Sequence, residues 1–270
     1  MFVAKFTGGV AEQHKLPAYE AGKSMEGIAR SLTMTNHYLF TGELRHRYPF
    51  DQSLQVFLRP SRAGSFESVF EFYVNNEQAI NATLGTVSLG LVANFATDFF
   101  KLVYSKAIGK KGKPDTELVK KLAKDREGDV AAVVEAVTPA ALRAHTVIGN
   151  GCSGISIING DNNVITMDSQ SKRFLEETHK DYTDIVAAGV VSAFNANNKT
   201  GRAYIYEEAR TIPFKLEPNV DEKTLGAIAV SLSSYISRIP ADVNILFWRQ
   251  LAYDGTIKQL VVRRVRKLED

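Results

Sequence analysis

One cysteine, Cys152, occurs in 270 residues. A disulfide within the chain is therefore excluded, and a reducing cytoplasm is the expected compartment. Excess charge of either sign is also scarce. The net charge is +3, so the molecule as a whole is not a general polyanion binder, and any such role must come from local patches. The N-terminus, MFVAKFTGGV, has no charged head followed by an apolar run, which argues against a secretory signal. Internal repeats and low-complexity segments are missing. No His/Cys pair has the spacing of zinc ligands, so neither a metal nor a cofactor is expected. No motif ties a chemistry to particular residues.

What remains is ordinary globular material, 44% hydrophobic and 23% charged, long enough for one large domain or two smaller ones. Its most apolar stretch is 78–108. Ile80, Leu84, Val87, Leu91, Phe95 and Leu102 recur at helical steps, and Leu89, Val92, Phe99, Phe100 and Val103 fill much of the rest. A helix apolar nearly all round belongs in a large core or in a membrane. From 80 to 103 it would measure roughly 35 Å, long enough to cross a bilayer, and the lysines at 101, 106, 110, 111 and 113 would make a cytoplasmic flank. Against a span stand Asn81, Thr83, Thr86, Ser88, Asn94, Thr97 and Asp98. A carboxylate deep in a bilayer costs about 2.5–3.5 kcal/mol. The expectation is a long helix buried in protein.

Strand alternation is expected over 2–7, 54–59 and 66–74, the last two joined by the loop 60–64. A first helix is expected from Ser24, as N-cap, to about Leu44, with Gly42 fraying its end. The charged run 109–115 is the best linker candidate. Two helices follow, near 115–124 and 129–148, with Pro139 breaking or kinking the second. Beyond 151 the period changes to two. Hairpins are expected around 160–163, 195–201 and Asp254-Gly255, with a short helix at 169–180. Pro213 confines the strand 211–216 to an edge. Asp221 opens a helix whose inward residues are Leu225, Ile228, Leu232 and Ile236. The fold class is therefore α+β. A strand-helix-hairpin unit packs on the long helix over 1–112, and 113–270 holds helices followed by antiparallel hairpins.

The candidate sites are weak. GNGCSG at 149–154 matches G-x-G-x-x-G, but a helix precedes it and a strand follows, the reverse of a dinucleotide site, so a helix-to-strand turn is expected. Cys152 suggests a nucleophile only if a histidine, His145 or His179, lies beside it. Asp161, Asp168, Asp181 and Asp184 read as turn formers. Arg30 and His37 lie seven apart and share a helix face. That spacing resembles the loosest form of the catalytic pair of HEPN-type ribonucleases, in which the histidine handles a proton and the arginine a phosphate. The likeness rests on two residues, and the expected all-helical bundle is missing. Basic clusters at Arg45-His46-Arg47, Arg59 with Arg62, the lysines at 106–113, and Arg263, Arg264, Arg266 and Lys267 would bind phosphates if they converge. His14 and Lys23, with Tyr19 and Glu20, precede a helix N-terminus that favours an anion.

The Leu16-Pro17-Ala18-Tyr19 loop, the small-residue helix after it, and the turn from Pro60 through Gly64-Ser65-Phe66 together resemble an uncharacterised bacterial family. The resemblance is close over the first third of the chain and loose beyond. It implies a bacterial cytosolic protein associated with mobile or phage-defence gene clusters, and it brings no catalytic residues. The first expectation is a non-catalytic interaction or assembly subunit, with a protein partner or a second copy of itself. The second is a nucleic-acid-binding protein or ribonuclease using the basic clusters and Arg30/His37. The third is a membrane-acting effector working through 78–108.

Overall fold

Alternating burial along β1 (Phe2–Thr7) sends Phe2, Ala4 and Phe6 inward and leaves Lys5 and Thr7 exposed, the signature of a sheet with one covered face. Its two neighbours come from far apart in the chain. On one side lies β3 (Glu67–Val74), itself paired with β2 (Leu54–Arg59). On the other lies β4 (Gly154–Asn159), followed by β5 (Asn162–Met167). The five strands run antiparallel in the order β2-β3-β1-β4-β5. The computed structural model describes residues 1–47, 49–51, 54–59, 67–74, 89–239 and 242–268.

Helices α1 (Ala18–Thr41), α2 (Leu89–Ala107), α3 (Glu117–Asp125), α4 (Glu127–Ala144) and α5 (Ser169–Glu176) accompany this sheet. α1 starts behind Pro17, not at Ser24. Proline suits that place because the first helical amides have no partner within the helix. Ser24 is buried instead, and its Oγ accepts the Val147 N–H at 3.1 Å. Nor does Gly42 fray the end. At φ 72° it caps the helix, donating its N–H to the Tyr38 carbonyl at 2.8 Å, as glycine does where the backbone must turn left-handed. The close packing of α1 on α4 has one cause at Gly27. A Cβ there would stand 2.4 Å from the Ala144 nitrogen and 2.5 Å from the Ala140 oxygen.

The expected long helix is described from Leu89 onward; 75–88 lie outside the described residues. Within α2, Phe99, Phe100, Leu102, Val103 and Tyr104 are buried in the unit's single core together with β1, β4 and α4. No helix among the described residues is long and apolar enough to cross a membrane. Asp98 has the least apolar role on α2. It is buried, and its carboxylate accepts the Asp115 and Thr116 N–H groups (2.7–3.0 Å) and the Thr116 hydroxyl (2.6 Å). It thus anchors the entry to α3 from a neighbouring helix.

That bond also corrects the domain boundary expected at 112. The run 109–115 is pinned at both ends, by Asp98 and by Lys110, whose ammonium donates to the Thr166 carbonyl and the Asp168 carboxylate. β4 and β5 complete the sheet begun by β1. The two compact units are Met1–Glu176 and Glu177–Asp270.

The second unit is a closed five-stranded barrel of β6 (His179–Asn195), β7 (Thr200–Ile205), β8 (Arg210–Leu216), β9 (Val243–Leu251) and β10 (Ile257–Lys267), with α6 (Glu222–Ser237) between β8 and β9. Numbered 1 to 5 along the chain, the strands close in the order 1-2-3-5-4-1. All pairs are antiparallel except β8 with β10. The long β6 pairs with both β7 and β9, and bulges where Tyr182, Thr183 and Asp184 face β9. Pro213 does not confine β8 to an edge. Pairing with β10 begins only at Phe214, one residue past the proline, so no donor is asked of it there. α6 starts as expected at Asp221, whose side chain accepts the Thr224 N–H. Its buried residues, however, are Thr224, Ala227, Ile228 and Ser231, while Leu225 and Ile236 are exposed. Polar Thr224 and Ser231 turn inward because their hydroxyls accept the Val265 and Val191 N–H groups of the barrel.

Candidate functional site

Two open clefts of the first unit hold sequence-predicted residues. The larger, about 1140 Å³, lies among α1, α4 and α5, with Tyr19, Lys23, Glu26, Arg143, Thr146 and Lys172 on its walls. Most of its charge is already spent internally. Arg143 reaches both Glu26 carboxylate oxygens at 3.1 Å, and Lys172 donates to the Ile148 carbonyl at 2.7 Å. The Lys23 ammonium sits 4.2 Å over the Tyr19 ring. The second cleft, about 630 Å³, brings Arg30 and Arg47 together with Phe50 and Phe57.

Arg30 and His37 each engage other groups. The Arg30 guanidinium donates to the His46 carbonyl at 2.8 Å and lies 3.7 Å from Glu26. His37 is buried, with Nδ1 at 2.9 Å from the Glu43 carbonyl and 3.2 Å from the Thr41 hydroxyl, and Phe50 against its ring. It ties down the chain leaving α1. The other basic candidates are scattered over separate local contacts. His14 ends the short 3-10 turn after β1 in a left-handed conformation. Arg45 bonds the Pro49 carbonyl, and Arg59 pairs with Glu71 at 3.1 Å. Arg62 lies outside the described residues. In the second unit Arg263 bridges Asp184 and Glu217, and Arg266 grips Asp221. Arg264 is exposed.

The 149–154 turn is a helix-to-strand connection, and its amides are taken. Those of Asn150, Gly151 and Cys152 go to the Val147 carbonyl, that of Gly149 to the Cys152 carbonyl, and that of Ser153 to the Thr7 carbonyl. These five amides are thus not left to cradle a phosphate. Burial pushes the Cys152 thiol up to about 11, away from the thiolate a nucleophile needs. No group of three His, Cys, Asp or Glu among the described residues could hold a metal.

Sequence reading misses a buried polar chain at the start of α5. His145, wholly buried, places Nε2 at 2.9 Å from the Ser171 hydroxyl and Nδ1 at 2.7 Å from the Ala141 carbonyl. Ser171 and Asp168 cap each other, each side chain engaging the other's N–H at 2.8–2.9 Å, a reciprocal capping arrangement. Burial holds His145 down to about 4. Asp168 stays below its ordinary value: burial would raise it, but Lys110 and Ser171 outweigh that. The signal for the cap is present in the sequence as Asp-x-x-Ser before a short polar helix; nothing marks His145 as its partner.

On the barrel the acids serve as anchors for cations. Bonds from Thr183 and Arg249 bring Asp181 down to about 2, and Arg266 with Thr224 holds Asp221 well below the usual range. The Trp248 indole donates to Glu217 at 2.8 Å, which together with Arg263 keeps that carboxyl low. Tyr182, from the bulge in β6, lies 4.8 Å from the Trp248 ring. The strand order, with its single parallel pair and a helix between the third and fourth strands, is the connectivity of the OB-fold, a frame used to bind oligonucleotides and oligosaccharides.

Against known families, a model described as "Domain of unknown function (DUF7946)" matches residues 2–176. The match ends where the first compact unit ends. No curated protein and no solved structure matches.

Proposed function

Because the chain belongs to the family of this uncharacterised domain, DUF7946, and carries a separate barrel after it, we propose that it is a binding and assembly protein rather than an enzyme. The observation that carries the reading is the barrel's strand order, an argument from architecture. Support also comes from the first unit, where the groups with reactive chemistry serve the fold: His37 and His145 bond carbonyls, Asp98 anchors the segment entering α3, and Cys152 is buried. The family resemblance in the first third of the chain extends the proposal to a bacterial cytoplasmic complex, with an antiviral defence system as its setting and a protein partner or a second copy as its companion. The test is isolation of the full chain from its native cell under mild conditions, with mass and nucleic-acid analysis of what accompanies it. A fixed-stoichiometry complex is expected, and recovery only as a lone chain overturns the reading. Arg30→Ala should leave that assembly intact; loss of function with the fold preserved would restore the ribonuclease alternative.

Nucleic acid as the barrel's ligand is the second reading. What favours it is a set of cations and tyrosines on the outer face of β7 and β8, away from the arginines singled out by sequence.

A further inference from the structure

Burial alternates along β7 and β8 so that Ala203, Ile205, Ile212 and Phe214 fill the barrel. The residues between them therefore face outward. Pairing sets them side by side: Thr200 opposite Lys215, Arg202 opposite Pro213, Tyr204 opposite Thr211. Residues two apart on a strand stand about 6.6 Å from one another. Arg202, Tyr204 and Tyr206 thus form a row, with the two tyrosine rings edge to face at 5.8 Å. Tyr206 is 46% exposed, and its hydroxyl is fixed by a bond to Asp242 at 2.6 Å. Lys215 and Lys199 lie at the other end of the row, joined by the bond from the Leu216 N–H to the Lys199 carbonyl. The β6–β7 loop borders that end. The β9–β10 loop borders the tyrosine end, where Arg210 bonds the Ile257 carbonyl at the start of β10.

We infer that this outer face, with Arg202, Tyr204, Tyr206 and Lys215 at its centre, is a binding site for single-stranded nucleic acid. The inference rests on the nucleic-acid reading of the barrel and adds the contacting residues and the strandedness. The separation of roles supports it. Cations at one end suit phosphates, and tyrosine faces at the other suit unpaired bases, whose stacking tolerates any sequence. A neutral oligosaccharide would use the rings but not the lysines and arginine. A duplex hides its bases from the rings.

The test is fluorescence anisotropy of the full chain with labelled dT20, U20 and a blunt duplex across a salt series. A neutral glucan oligosaccharide serves as competitor. The single strands should bind, with log affinity falling linearly in log salt. Arg202→Ala with Lys215→Ala should weaken binding at least tenfold and flatten the salt slope by roughly 1.4, about 0.7 for each single-strand phosphate that is no longer neutralised. Tyr204→Leu should weaken binding about tenfold with the slope unchanged, while Tyr204→Phe binds as the parent does. Lys223→Ala with Lys267→Ala, in the groove beside α6, is the control and should change affinity less than twofold. Trp248 emission checks that each barrel is folded. Strong single-strand binding unaffected by the Arg202, Lys215 and Tyr204 variants overturns this location and leaves the nucleic-acid reading standing. No binding even at low salt overturns both. Preference for the duplex, or displacement by the glucan, overturns the choice of ligand.

Discussion

His145 shows how a histidine can be a stability switch without being a functional one. It is buried neutral, between the Ala141 carbonyl and Ser171, and burial lowers it to about 4 from its ordinary 6.5. The folded state therefore binds fewer protons than the unfolded chain between those values. Its contribution is fully present above pH 6.5 and is lost as pH falls toward 4, about 1.4 kcal/mol per unit and about 3 kcal/mol in all. Urea unfolding followed by helix ellipticity at pH 7, 5.5 and 4.5 should show the fall, and His145→Gln should lack most of it. Ellipticity is the right probe because the only tryptophan, Trp248, belongs to the other unit. Equal pH slopes for parent and variant would remove His145 from the account. Asp98 is the complementary case, a carboxylate whose burial is offset by the N–H groups of Asp115 and Thr116 and the Thr116 hydroxyl. Asp98→Ala leaves the Asp115 and Thr116 amides, just before α3, without their acceptor and should cost about 3 kcal/mol in the same measurement. A change below 0.5 kcal/mol would mean that these bonds are dispensable.

Element by element, local signals are legible in the sequence and the partners of elements are not. Alternation places β1, β2 and β3, Asp254-Gly255 places the last hairpin, and Asp221 places the start of α6. Where an expectation fails, an interaction from far along the chain intervenes. Ser24 has the character of a cap because serine favours helix starts, yet the Val147 amide claims it and the helix begins behind Pro17. Periodicity assigns the inward face of α6 to leucine and isoleucine, but barrel amides draw in Thr224 and Ser231. Gly27 belongs to the same class. Its helix would gain propensity from alanine, by about 1 kcal/mol. The α4 backbone, 2.4 Å from the new Cβ, forbids it. Gly27→Ala should lower stability by about 1–3 kcal/mol through forced separation of α1 and α4, read as a lowered urea midpoint. An unchanged or raised midpoint would show that the helices can part without loss.

At the scale of the whole molecule, the α+β class is legible, but the division of the chain is not. The charged, glycine-bearing run 109–115 has the composition of a linker, and composition is silent about Asp98 and Lys110 holding it. The barrel is half visible. Three strands, a helix and two strands can be read in order, but closure depends on β8 lying parallel to β10 and β6 bending back to β9. Neither pairing leaves a local mark. The candidate site suffers most. Arginine clusters draw attention in the sequence, yet Arg263 and Arg266 lie in separate local contacts, and Arg202, Tyr204 and Lys215 become neighbours only through strand register. The division at 176 has a direct consequence. The first core draws only on residues 2–167 and their immediate packing partners, and the second only on 187–265 and theirs. A chain ending at 176 keeps β4 and β5 against β1 and should unfold cooperatively. A chain ending at 112 exposes the edge of β1 and loses α4, and should be aggregated or unfolded. The remainder, 177–270, should fold alone with the blue-shifted emission of a buried Trp248. Cooperative unfolding of the 1–112 chain, or a water-exposed tryptophan in 177–270, would move the boundary back toward the charged run.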